Sequence, residues 1–219
     1  MTATIIGATG LIGSNLLEII LNDENFKLVR LLVRKPVYFD NPKVSVNVLD
    51  FSDPISFKAG IEGSDAVFCA VGTTRKKVKG DKTAYRKVDY YIPVNAARIC
   101  EKAGCPRFLL VSSVGADSKS SNFYLQLKGE VEDILTKLKI RSVVIFRPSI
   151  LLGKRNEFRF GEKIGQTLSS TFPFLLPAKY KPVKAHDVAK AMVGAVAQDL
   201  PGVHIYQYDD IKRLSENLK

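Results

Sequence analysis

Tyr124 and Lys128 are separated by three residues in the stretch SNFYLQLKGEVEDIL. On a helix that spacing is about one turn, and both side chains share a face. A free phenol has a pKa of about 10, too high for easy proton transfer at neutral pH. A neighbouring ammonium favours the phenolate. Such a pair can act as general acid or base while a nicotinamide carries hydride. A further hydroxyl is needed to hold the substrate oxygen. The stretch LLVSSVGAD supplies two candidates, Ser113 and its alternate Ser112, at the end of an apolar run. Tyr-x-x-x-Lys arises often by chance, and Tyr124 could equally be a packing residue. What gives it weight is the Ser-Ser pair before it and a cofactor turn earlier in the chain.

That turn is GATGLIGSN, from Gly7 to Asn15. It joins the apolar run Ala3–Ile6 to the apolar run Leu16–Leu21. Glycine weakens a strand or a helix, so three of them at one junction ask for a reason. In a phosphate cradle Gly7 permits the tight turn, Gly10 lets a pyrophosphate approach the backbone, and Gly13 lets helix and strand pack closely. Amides at the helix N-terminus then face the anion. Thr9, Leu11 and Ile12 complete the cradle. The G-x-x-G-x-x-G spacing departs from the common G-x-G-x-x-G, but its place between a strand and a helix is the context the motif requires. The competing reading is a tight turn without a ligand.

The second strand candidate ends in LLVRKP. NAD sites usually carry an acid here, and NADP sites an arginine. Arg34 and Lys35 occupy the place with no acid beside them, and Arg34 can grip a 2′-phosphate. NADP(H) is the expected cofactor; an ordinary exposed basic pair is the alternative. Asp50 and Phe51 end the third strand and are placed to frame the adenine. In CAVGTT, Ala70, Val71 and Gly72 end the fourth and are placed to line the inner ribose.

The elements that must position these residues follow from hydrophobic periodicity. Strands are expected at 2–6, 28–33, 44–49, 66–71, 108–112 and 143–146. Several are apolar on both faces, as strands buried between two helical layers must be. Helices are expected at 14–21, 83–103 and 123–138. This alternation means parallel strands with right-handed crossovers. After Pro148 the rhythm loosens, and FPFLLPAKYKP is proline-rich. The expectation is a single domain over residues 1–219, with 149–219 a small C-terminal, substrate-side cap. That cap would hold a helix at 186–197, with Asp187 in its first turn, and a late strand VHIYQ.

With 219 residues and 46% hydrophobic composition, the chain can bury the core of one domain. Met1 leads straight into a strand-like run, so no secretory leader is expected. No apolar stretch nears the roughly 20 residues of a membrane span. Cys69, Cys100 and Cys105 read as reduced thiols of a cytoplasmic protein. Cys100 and Cys105 could form a metal pair but lack further ligands nearby, and neither His186 nor His204 has ligand-like neighbours, so no metal is expected. The formal net charge of +11 is mostly scattered, apart from RKKVKGDKTAYRK at 75–87. That run reads as a solvated loop by default, or as an anion-attracting rim near a phosphate site. No nucleic-acid module accompanies it.

The stretches GATGLIGSNLLE, VGTTR, VDYYIPVNAARICEKAGCPRFLLVSSVGADSKSSNFYLQLKGEVE and FRPSILLGKR resemble the short-chain dehydrogenase/reductase superfamily of the atypical NAD(P)-binding kind. More closely, they are similar to its Tat-interacting-protein-like oxidoreductase group. The resemblance implies a Rossmann-type doubly wound parallel α/β sheet, NADPH as cofactor, and a Ser-Tyr-Lys catalytic set of Ser113, Tyr124 and Lys128. Lys128 would also hold the nicotinamide ribose. Pro148 and Ile150, within RPSILLG, correspond to the loop around the nicotinamide end. Related enzymes often support the lysine through an asparagine on the fourth helix; here Asp89 stands near the start of that helix. Sugar-nucleotide relatives of about 300 residues carry larger caps, so the expected substrate is a small carbonyl compound. A cofactor-sensing protein that binds a protein partner is the alternative.

Overall fold

The computed structural model describes residues 1–153 and 177–217. Much of the expected cap, residues 154–176, lies outside the described residues, and with it the start of the proline-rich stretch.

Seven strands form one parallel sheet. They are β1 (Thr2–Ile6), β2 (Leu28–Val33), β3 (Val44–Val48), β4 (Ala66–Cys69), β5 (Arg107–Val111), β6 (Ser142–Phe146) and β9 (Gly202–Tyr206). Their spatial order is β3-β2-β1-β4-β5-β6-β9, every pair parallel. Two short strands, β7 (Leu151–Leu152) and β8 (Val183–Lys184), pair separately. This is the doubly wound Rossmann-type arrangement, and its order reverses between β1 and β4.

Strand side chains alternate between two helical layers. Ile5, Leu31, Phe68, Leu109 and Val144 face α1 (Leu11–Asn22), α6 (Ala185–Gln198) and α7 (Tyr208–Asn217). Ile6, Leu32, Val67, Phe108 and Val143 face α2 (Pro54–Ile61), α4 (Ile92–Lys102) and α5 (Phe123–Leu135). Burying each such side chain contributes about 1.5–3 kcal/mol, and a sheet covered on both faces must be apolar on both. The late helix α6 and strand β9 join these layers. Asp187 does sit in the first turn of α6, where a carboxylate favours the dipole.

The helix expected over 83–103 runs from Lys82 to Lys102 but contains a π-helical turn. A short α3 (Lys82–Arg86) runs into a π-helical turn (Lys87–Tyr91), and α4 follows. Pro93 explains that turn. It has no N–H for the carbonyl four residues back, that of Asp89, so the ladder slips outward there. The slip leaves Asp89 buried, at 1% exposure.

Candidate functional site

The N-terminal turn is shaped by backbone meeting backbone. Gly7 has φ +94°, and the Gly10 N–H donates to its carbonyl at 2.9 Å. A Cβ at Gly7 would lie 2.8 Å from the carbonyl carbon of Ala70 and the nitrogen of Val71. A Cβ at Gly13 would lie 2.1 Å from the Gly7 oxygen. Helix α1 opens at Gly10 with no side-chain cap and no acidic residue in its first turn. Its first amides therefore present an acid-free positive end at the point where strand order reverses. A diphosphate group suits that end.

A cleft of about 1060 Å³, open mouth included, runs from this turn along the C-terminal ends of β4, β5 and β6. Leu11 and Ile12 line it from the turn, and Ala70 and Val71 from the end of β4. Ser112 and Ser113 line it from just past β5, Tyr124 and Lys128 from α5, and Pro148 and Ile150 from the end of β6. These expected residues share one cavity. Thr73, Tyr85, Asp89 and Ser149 line it too; of these the sequence pointed only to Asp89, near the start of the fourth helix. For Tyr85 a signal existed in principle. It and Asp89 belong to the run leading to Pro93, which a helix cannot cross undisturbed.

Ser112 and Ser113 have different surroundings. The Ser112 hydroxyl donates to Glu132 of α5, which also accepts from Arg147, Nε to Oε2 at 3.0 Å. Glu132 is 3% exposed, so Ser112 is committed to a buried ion pair. Ser113 Oγ makes a 3.3 Å contact to the Val114 carbonyl. Tyr124 and Lys128 lie one turn apart on α5, the Lys128 Nζ 5.9 Å from the Tyr124 ring centre. Asn122 caps that helix through the amides of Tyr124 and Leu125. At Gly129 a Cβ would come 2.1 Å from the Ser118 nitrogen. The missing side chain lets the loop after Ser113 lie directly on α5.

Lys128 Nζ is 3.3 Å from Asp89 Oδ1. The other Asp89 oxygen accepts the Thr73 N–H at 2.7 Å, and the Thr73 carbonyl accepts the Tyr85 hydroxyl at 3.2 Å. The Tyr85 ring packs edge-on to Tyr124 with centres 6.3 Å apart. Asp89, before the fourth helix, thus places a carboxylate in direct contact with the lysine. Nearby Cys69 is buried, and desolvation pushes its thiol up to about 12, so it stays neutral.

Arg34, Lys35, Asp50 and Phe51 lie outside the cleft lining, past the ends of β2 and β3. Arg34 and Lys35 are exposed. Asp50 accepts the Ser52 N–H at 2.9 Å, which holds its carboxyl below the usual carboxylate range. Phe51 stacks edge-on against Phe57. Gly72 follows Val71 on the loop after β4, and Thr9 is exposed on the glycine turn. The basic run, 75–87, starts two residues after Thr73 and contains Tyr85, and these two residues line the cleft. Its one acid, Asp81, is spent capping α3 through the amides of Thr83 and Ala84.

Among the described residues no cluster of three or more metal-ligating side chains occurs, and no helix is long and apolar enough to cross a membrane. Cys100 and Cys105 are buried in the layer of α2, α4 and α5.

Comparison with known proteins gives a consistent result. The NAD(P)H-binding family matches residues 7–199. Protein FMP52 of Candida albicans is 33% identical over all of both chains. Protein HTATIP2 of Rattus norvegicus is 37% identical over 77% of this chain and 70% of its own. Among solved structures, the Bordetella bronchiseptica enzyme WbmH in complex with NAD+ superposes with a TM-score of 0.71 at 21% identity. That match covers 98% of this chain and 79% of WbmH. One expectation is overturned. FMP52 relatives from Candida albicans, Debaryomyces hansenii and Scheffersomyces stipitis are designated mitochondrial, against the cytoplasmic location expected from the thiols. The physical reason lies in burial. All three cysteines are buried, and shielded thiols stay reduced without reporting an address.

Proposed function

This chain belongs to the NAD(P)H-binding family, and on that premise we propose that it is an NADPH-dependent reductase of the atypical short-chain dehydrogenase/reductase kind acting on a small carbonyl compound. The observation that carries the reading is the meeting of Ser113, Tyr124 and Lys128 in one cleft beside the uncapped start of α1. When bound, the nicotinamide supplies the hydride. Ser113 orients the carbonyl by donating to its oxygen. Tyr124 delivers the proton to that oxygen. Lys128 steadies the phenol from one turn away and holds the ribose. The amides of Leu11 and Ile12 hold the diphosphate, and Pro148 and Ile150 wall the nicotinamide end. Arg34 and Lys35 choose NADPH through the 2′-phosphate, with Asp50 and Phe51 at the adenine. The whole chain acts as one domain, with Ser149, Ile150, Leu151 and Gly153 lining the cleft on the substrate side. Kinship with the FMP52 proteins supports a mitochondrial address.

A panel of small aldehydes and ketones with NADPH tests this, with Tyr124→Phe as control. The variant is expected to bind NADPH normally and to lose about 10²–10⁴-fold in kcat. Equal turnover by parent and variant on every substrate would overturn the role of Tyr124. Tighter NADH than NADPH binding in a fluorescence titration would overturn the cofactor choice.

A second reading has its own observation: the exposed basic loop from Arg75 to Lys82 that leaves the cleft at Thr73. In it the chain is an NADPH sensor whose occupied cleft sets the shape of a protein-binding surface. Pull-downs with and without NADPH decide it; capture indifferent to the cofactor counts against sensing.

A further inference from the structure

Lys128 is among the most deeply buried cations of the described chain, its side chain 4% exposed, and the Asp89 side chain facing it is 2% exposed. A buried ammonium without a counter-ion gives up its proton readily. The groups around Lys128 are few. Asp89 faces it from the π-helical turn. Tyr85 of α3 borders the same cleft. Cys69 of β4 stays neutral. On α5, Tyr124 lies one turn before it, and Glu132, one turn after, is held by Arg147 and Ser112. Among the described residues Asp89 is a carboxylate in ion-pair contact with the lysine, at 3.3 Å. It also has a second partner, the Thr73 amide on the loop after β4. That loop is in turn tied to Tyr85, whose ring abuts Tyr124.

We propose that Asp89 is a positioning residue of the reaction: it keeps Lys128 charged and fixes it to the loop after β4, so that lysine, tyrosine and cofactor loop hold one arrangement. The π-helical turn forced by Pro93 is what brings this carboxylate into the cleft wall. Asp89 does its work through Lys128. The role in catalysis rests on the reductase reading above; the charge state of Lys128 does not.

The test follows the Lys128 Nζ directly, by NMR of the full chain labelled with 15N lysine, the signal assigned by its loss in Lys128→Arg. In the parent, the ammonium signal is expected to persist to about pH 9 or beyond. In Asp89→Asn, which keeps an acceptor for the Thr73 amide, it is expected to vanish at least about one pH unit lower. Asp89→Glu is expected to restore it. The alkaline limb of kcat should move with the lysine signal, while NADPH affinity at pH 6 changes little. A purely structural role would leave both curves in place. Identical lysine titrations in parent and Asn variant overturn the proposal. So does loss of the ammonium signal near neutrality in the parent, a measurement needing no variant to fold. Failure of the reductase reading looks different: the parent binds no NADPH, while the lysine titrations still separate.

Discussion

Replacing Gly13 by alanine separates the fit of the phosphate cradle from the stability of the fold. The new Cβ would sit 2.1 Å from the Gly7 oxygen, 2.7 Å from its carbonyl carbon and 2.9 Å from the Ala8 Cα. All three are backbone atoms, so no side chain can swing aside. Ordinary contact begins near 3.4 Å, so α1 must retreat from the turn by about 1 Å. Overpacking of this kind costs about 1–3 kcal/mol, which lowers Tm by roughly 3–10 °C in a chain of this size. The same retreat moves the first α1 amides away from the diphosphate. Losing one charge-assisted hydrogen bond costs about 1.5–3 kcal/mol, so NADPH affinity is expected to fall by about 10- to 100-fold.

The assays are thermal unfolding without cofactor and a titration of NADPH fluorescence on the folded variant at low temperature. Gly104→Ala is the control. Its glycine has φ +69°, yet a Cβ there meets nothing within 4 Å. It should lose about 1–2 kcal/mol from backbone strain and bind NADPH as the parent does. If Gly13→Ala bound NADPH within twofold of the parent, the helix start would not be the diphosphate site, and the reductase and sensor readings would fail together.

Ser112→Ala strips a donor from buried Glu132 and is expected to cost about 1–3 kcal/mol in urea unfolding, whereas Ser113→Ala should keep the stability and lower kcat. Arg34→Ala is expected to weaken NADPH by about tenfold and leave NADH unchanged, read by paired titrations. Asp199 joins Arg107 and Arg141 at 2.7 Å each, and the hydrogen bond from Arg107 holds its carboxyl below the usual carboxylate range. A depressed folded-state pKa means that this contribution is present above the ordinary carboxylate value and is lost as pH falls through the depressed one. Tm should therefore drop less steeply on acidification in Asp199→Asn than in the parent.

Much of the sheet was legible because its strands are short apolar runs closed by turn residues. β1 and β2 fall at the residues expected, and α5 begins at the expected Phe123 behind the Asn122 cap. Two helices went unread for a common reason. In α2 the apolar face is one turn long, so its periodicity is weak, and in α7 the apolar face is just Ile211 and Leu214, three residues apart in a short, mostly polar run. Asp53-Pro54 was nonetheless a start signal, since Asp53 accepts the amides of Ile55 and Ser56. The Asp89–Lys128 pair was not legible. Thirty-nine positions part its members, and they meet only because the π-helical turn rotates Asp89 inward.

The different partners of the two serines, by contrast, could have been argued from the strand alone. Side chains alternate along β5, and Phe108 and Leu110 face the layer containing α5. Ser112 continues that face past the strand's end, its N–H still on the Phe146 carbonyl at 2.7 Å, and so it meets Glu132. Ser113 falls on the other parity, with Leu109 and Val111, and emerges where the chain leaves the sheet. Both serines border the cleft, but the Ser112 hydroxyl is turned to Glu132 on the α5 side. One strand end supplies both hydroxyls because its two faces end in different places.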